Sequence, residues 1–155
     1  MSAAATLLAR AREAGATIAT AESCTGGILA GAITAVPGAS DVFDRGFVTY
    51  SNAAKTELLD VRPETLAVFG AVSEAVAREM ALGAIMRSNA TFAISVTGVA
   101  GPGGSENKPE GRVCFGLAQA GRTVRSETRE FGAIGRSEVR QATVARALNI
   151  LIASL

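Results

Sequence analysis

Apolar positions recur along the chain in two rhythms, one helical and one alternating. Leu7, Leu8, Ala11 and Ala14 share one face of a predicted helix over Thr6 to Ala14, which Gly15 ends. Thr17-Ile18-Ala19-Thr20 is β-branched and alternating, and reads as a strand. Gly26-Gly27-Ile28 opens a small-residue helix that runs to about Val36, where Pro37-Gly38 breaks it. Asp44-Arg45 precedes a second strand, Gly46 to Tyr50. Ser51 is a good N-cap for a short helix to Leu59, and Pro63 favours a new helix start.

Ser73 caps a longer helix that carries Val76, Met80 and Ala84 at helical spacing. The third strand is Thr91 to Thr97, and a glycine-rich loop from Gly98 to Lys108 follows it. Val113 to Ala118 and Thr123 to Thr128 form a predicted hairpin around Ala120-Gly121. The last helix runs from Ser137 to about Ile152, with Val139, Thr143, Ala147 and Ile150 as its buried stripe. Helices that alternate with single strands predict a layered α/β fold. The hairpin makes the sheet mixed rather than all parallel. No repeat interrupts the pattern, and residues 1–155 read as one domain.

Composition narrows the chemistry. Apolar residues make up 48% and charged residues 19%, an ordinary globular balance. A net charge of +1 sets up no long-range field for nucleic acid or membrane. With 5% aromatics and no Trp there is no stacking platform for single strands, so no nucleic-acid partner is expected. No signal peptide and no apolar run of membrane-spanning length is evident, and the expected location is the cytoplasm, with Cys24 and Cys114 reduced. The chain has no histidine, which rules out a Ser-His-Asp arrangement and, with two cysteines, the usual zinc sites. No metal and no cofactor is called for.

Three stretches carry candidate chemistry. Ser23 lies on the turn between the first strand and the following helix, in Ala21-Glu22-Ser23-Cys24-Thr25-Gly26-Gly27. A hydroxyl there is either a helix cap or a nucleophile, and a nucleophile needs a base. Without histidine, lysine is the remaining choice. Cys24 is a competing nucleophile or a small buried apolar residue. Tyr50 ends a strand, and Lys55 sits one helical turn beyond, able to reach back over the same rim. Thr97-Gly98-Val99-Ala100-Gly101-Pro102-Gly103-Gly104-Ser105 follows a strand, where α/β sheets bind ligands. It matches the spacing of an ATPase phosphate loop, but Gly104 stands where the lysine must be, so that reading fails. A flexible loop and an anion-binding loop both remain open. Arg136 and Arg140 share a helix face, either solvated or forming a fork for an anion.

Taken together, Ala21 to Gly27, Val48-Thr49-Tyr50-Ser51-Asn52, Gly70-Ala71-Val72-Ser73 and Thr97 to Gly104 closely resemble the CinA C-terminal domain family across essentially the whole chain. The resemblance implies a three-layer α/β/α sandwich, a homodimer, and hydrolysis of the carboxamide of nicotinamide mononucleotide to nicotinate mononucleotide and ammonia. A non-catalytic nucleotide-binding or competence/damage-associated interaction module is the competing class, and an amidase with another substrate is a third. The sequence departs from the family pattern at Glu110, where a small apolar residue is usual. On this reading Ser23 is the nucleophile, Lys55 the base, and Tyr50 orients Lys55 or faces the pyridine ring. A neighbouring arginine, Arg140, would help lower the Lys55 pKa. Thr25 and the Gly26 and Gly27 amides would face the substrate and hold the oxyanion. Thr97, Gly98, Gly101, Gly103 and Gly104 would hold the ribose phosphate.

Overall fold

Residues 1–155 are described by a computed structural model. The first and third predicted strands are among those inside a five-stranded sheet with both faces covered, and this dictates their composition. β1 (Ile18–Glu22) and β3 (Phe92–Gly98) are buried along almost their whole length. They therefore alternate large and small residues rather than apolar and polar. Ile18, Phe92, Ile94 and Val96 point to one core, and Ala19, Ala21 and Ala93 to the other.

The sheet order is β2-β1-β3-β4-β5. β2 (Phe43–Val48) and β3 flank β1 in parallel. β4 (Arg112–Gln119) and β5 (Arg125–Glu130) add antiparallel strands on the far side, as the hairpin predicts. α1 (Ala3–Ala14), α2 (Ile28–Thr34) and α6 (Arg136–Ala153) cover the large-residue face. α3 (Asn52–Leu59), α4 (Pro63–Phe69) and α5 (Glu74–Met86) lie on the other side. There the sheet's alanines let α5 approach closely, with Val76, Met80, Ala81 and Ala84 inward. The expected α/β/α sandwich with a mixed sheet is the observed fold. No helix is long and apolar enough to cross a membrane, and both cysteines are free.

Several boundaries move for identifiable reasons. Ser2 caps α1, so that helix starts at Ala3 rather than Thr6. β1 runs on to Glu22, because the carboxylate finds partners beyond the strand. Asp44 and Arg45 lie inside β2, not before it, since an edge strand tolerates polar positions. Tyr50 lies two residues past β2 rather than at its end. Gly26 and Gly27 have φ of 55° and 106°, so they form the turn and α2 begins at Ile28. In α6 the fully buried stripe is Val139, Thr143, Val144, Ala147, Leu148 and Leu151, while Ile150 is half-buried.

The chain leaves β1 for β2 on one side and returns through α3 to α5 to β3 on the other. The carboxyl end of β1 is thus the topological switch point, where open α/β sheets form a crevice. Ser23 is the first residue past that end.

Candidate active site

Backbone bonds extend the parallel pairing one step beyond β1: the Ser23 amide donates to Val96 O at 3.0 Å, and the Thr49 amide to Glu22 O at 2.8 Å. They bring Ser23 and the Thr49-Tyr50 segment to one rim, as the sequence predicts for parallel neighbours. Ser51 accepts from the Ala54 amide and caps α3, which fixes Lys55 one turn in. The Lys55 side chain then runs inward and is 1% exposed.

Its ammonium nitrogen makes three contacts. Nζ lies 2.9 Å from Ser23 Oγ, 3.1 Å from Thr49 O and 3.0 Å from Tyr50 O. A charged lysine donates all three of its hydrogens to these oxygens. A neutral one donates two to the carbonyls and presents its lone pair to the Ser23 hydroxyl. Both protonation states are satisfied by the same atoms. Burial pushes the Lys55 pKa below the ordinary lysine range, against opposing pulls from Cys24 and Glu106. Ser23 and Lys55 thus have the distance and environment of a nucleophile and its base.

Cys24 is a poor rival. Its side chain is 6% exposed, and burial drives its thiol pKa up to about 12. The thiol therefore stays protonated at neutral pH.

The cleft beside Ser23 has a volume of about 310 Å³, within the range of small-ligand sites. Ser23, Cys24, Tyr50, Lys55, Thr97, Gly98, Gly101, Gly103 and Gly104 line it. Asn52, Ala71, Val72 and Glu106 also line it without a sequence signal that singled them out, and so does Arg136, a candidate anion ligand from the sequence. Tyr50 contributes to Lys55 through its backbone carbonyl. Its ring is 60% exposed, and its hydroxyl accepts from Arg136 at 3.2 Å. Arg136 also donates to Gly101 O at 2.7 Å, tying the glycine loop to α6. Thr97 donates to Ala71 O at 2.9 Å and fixes the opposite wall. Glu110, the departure from the family pattern, accepts from the Gly103 amide inside the loop.

Four expected site residues lie outside the cleft lining. Thr25 is fully buried and donates to the Glu22 carboxylate. The Gly26 amide donates to Ser23 O and the Gly27 amide to Glu22 Oε1, so neither is free for an oxyanion. Arg140 donates to the carbonyls of Cys24 and Thr25 at 3.1 and 3.3 Å, and clamps the turn from behind. It does not figure among the groups that act on Lys55, whose shift comes chiefly from burial. The Arg136-Arg140 pair is accordingly no fork, since the two guanidiniums hold different loops.

The residue that organises this turn is Glu22. It is 1% exposed, and accepts from Thr25 Oγ1 and from the amides of Gly27, Leu29 and Ala30. A carboxylate at the start of α2 satisfies the orphan donors there and sits at the positive end of the helix. Its sequence signal was a glutamate inside an otherwise apolar strand, a residue almost never buried without partners.

Fold and cleft define a class: an α/β/α sandwich that holds a serine-lysine pair at the carboxyl end of its first strand. The chain belongs to the CinA family, whose C-terminal domain model matches residues 1–155. It is 52% identical over 141 residues to the nicotinamide-nucleotide amidohydrolase PncC of Escherichia coli, covering 88% of this chain and 83% of that protein. It is 58% identical over 120 residues to a CinA-like protein of Chlorobium phaeobacteroides, of which it spans 29%. Among solved structures, a competence/damage-inducible protein of Agrobacterium tumefaciens superposes with a TM-score of 0.94 at 49% identity, covering 97% of this chain and 92% of that one.

Proposed function

We propose that this chain hydrolyses the carboxamide of nicotinamide mononucleotide to nicotinate mononucleotide and ammonia. The observation that carries the chemistry is the Lys55 nitrogen 2.9 Å from Ser23 Oγ, with two carbonyls to take its remaining hydrogens. The 52% identity to an enzyme named nicotinamide-nucleotide amidohydrolase supports the substrate.

In this reading neutral Lys55 takes the Ser23 proton as Oγ attacks the carboxamide carbon. The Cys24 amide, which donates to no backbone carbonyl, receives the developing oxyanion. Lys55 returns its proton to the departing nitrogen, and ammonia leaves. Water, deprotonated by Lys55, then opens the acyl-serine ester and frees the acid. The amides of Gly101 and Gly104 are also uncommitted, and with Arg136 they supply donors for the phosphate. That remote binding energy positions the amide for attack. The homodimer implied by the resemblance belongs to this reading, and light scattering at twice the chain mass would support it.

The test is to incubate the purified chain with nicotinamide mononucleotide and measure ammonia. Release that depends on Ser23 supports the proposal. Tight binding without ammonia would replace it with a nucleotide-binding module.

A further inference from the structure

Hydrolysis of a carboxamide changes the charge of the bound molecule. The amide is neutral at the reacting group and the acid product is anionic. The cleft that must release this acid carries two cations, Lys55 and Arg136. Once Lys55 is protonated it attracts the new carboxylate and delays its departure. Glu106 is the sole carboxylate in the lining.

Its placement is specific. Glu106 and Asn107 have φ of 50° and 63°, and they form the tip of a tight hairpin closed by two backbone bonds between Ser105 and Lys108. That backbone conformation favours glycine and asparagine, so a glutamate there stands against local preference. The hairpin is pinned across the cleft wall. Lys108 Nζ donates to the carbonyls of Phe69 and Val72, each at 2.8 Å, and Glu106 Oε2 accepts from the Ala71 amide at 3.1 Å. The carboxylate is thereby held at the cleft wall, exposed to solvent and on the lining that Lys55 shares.

We propose that Glu106 is a specificity-determining residue which disfavours the acid product relative to the amide substrate, and so hastens product departure. The inference rests on the amidase reading above. Ribose and phosphate are common to both nucleotides, so any effect of Glu106 on them cancels in the ratio of their affinities. The ratio isolates the reacting group.

The experiment uses the full chain carrying Ser23→Ala, which cannot turn over, and measures the Kd of nicotinamide mononucleotide and nicotinate mononucleotide by calorimetry. Glu106→Gln is then added, which keeps an acceptor for the Ala71 amide but removes the charge. The acid is expected to tighten relative to the amide by on the order of fivefold, for unit charges facing across a cleft. Concentrated salt should shrink that gain. In the chain with Ser23 intact, Glu106→Gln should lower the Ki of the acid product by a similar factor.

An unchanged ratio, with both nucleotides still bound, overturns the inference and leaves the amidase reading standing. Equal weakening of both also overturns it, because Glu106 would then act only on the loop. If neither nucleotide binds the Ser23→Ala chain, and the parent chain releases no ammonia, the substrate reading itself fails and the inference goes with it.

Discussion

Replacing Lys55 with methionine separates its chemical role from its structural cost. The two side chains are similar in length, and Lys55 is 1% exposed, so the methionine stem fills much the same space. What is lost is the nitrogen that touches Ser23 Oγ, Thr49 O and Tyr50 O. A positioned general base contributes about 10² to 10⁴ in rate, so kcat should fall by roughly that factor, about 3 to 5 kcal/mol of barrier. KM should change much less. Stability moves independently of rate. Burial lowers the Lys55 pKa in the folded chain, so between that pKa and the unfolded value the unfolded chain binds more protons. The penalty of a buried ammonium is fully present below the folded pKa, and is relieved as pH rises through that window. Urea denaturation of the parent chain should therefore show stability rising with pH toward the unfolded lysine value, and the methionine variant should lack that contribution. Ammonia release at saturating substrate gives kcat. Turnover within tenfold of the parent, or an identical pH slope of stability in both chains, would refute the assignment. Lys55→Arg should also lose turnover, because a guanidinium does not deprotonate in this range.

Ser23→Ala should abolish ammonia release with little loss of stability, while Cys24→Ala should keep substantial activity because its thiol is protonated; the reverse pattern would move the nucleophile to Cys24. Glu22→Ala leaves a buried hydroxyl and three amides without their acceptor, and should cost about 3 to 5 kcal/mol in urea denaturation. A loss below about 1 kcal/mol would show that water replaces the carboxylate readily. Free nicotinamide should be a far worse substrate than its mononucleotide, and comparable kcat/KM values would remove the phosphate role of the glycine loop. Turnover should withstand exhaustive chelation, since no three carboxylate or cysteine groups gather to hold an ion; loss restored by a divalent cation would sink the serine-lysine scheme.

Most of the architecture was legible because it follows from local chemistry. Ser51, Pro63 and Ser73 cap or start helices as their side chains dictate, and Gly15 ends α1 because it lacks one and takes φ 63°. The alternation of large and small residues in Phe92 to Val96 matches a strand buried on both faces. Boundaries failed where a distant partner decided them. Asp44 sits inside β2 because its carboxylate accepts from the Asn89 amide at 2.9 Å, a contact spanning 45 residues. Gly46, placed correctly in this strand, is a glycine because a Cβ there would lie 2.7 Å from Thr20 Oγ1. Neither constraint is visible in the neighbouring residues.

The site divides along the same line. Ser23 and Lys55 were legible as a pair because parallel neighbouring strands bring their ends to one rim, and a histidine-free chain leaves few other bases. Thr25, Gly26 and Gly27 were assigned to substrate as donors on the turn, and Arg140 through its shared helix face with Arg136. In the structure the Thr25 hydroxyl and the Gly27 amide go to Glu22 and the Gly26 amide to Ser23 O, while Arg140 spends two of its five donors on the Cys24 and Thr25 carbonyls. A buried donor must find an acceptor, and in a tight turn the nearest one is usually the chain itself. The turn can therefore hold Ser23 rigidly only if its polar groups face inward. Donors left for a ligand include the Cys24 amide beside Ser23 and, along the same cleft, the Val72, Ala100, Gly101 and Gly104 amides. Glu22 makes that division: by accepting from one hydroxyl and three amides it fixes the backbone on either side of Ser23. The hydroxyl is then left 2.9 Å from Lys55 Nζ, the side chain proposed above as its base.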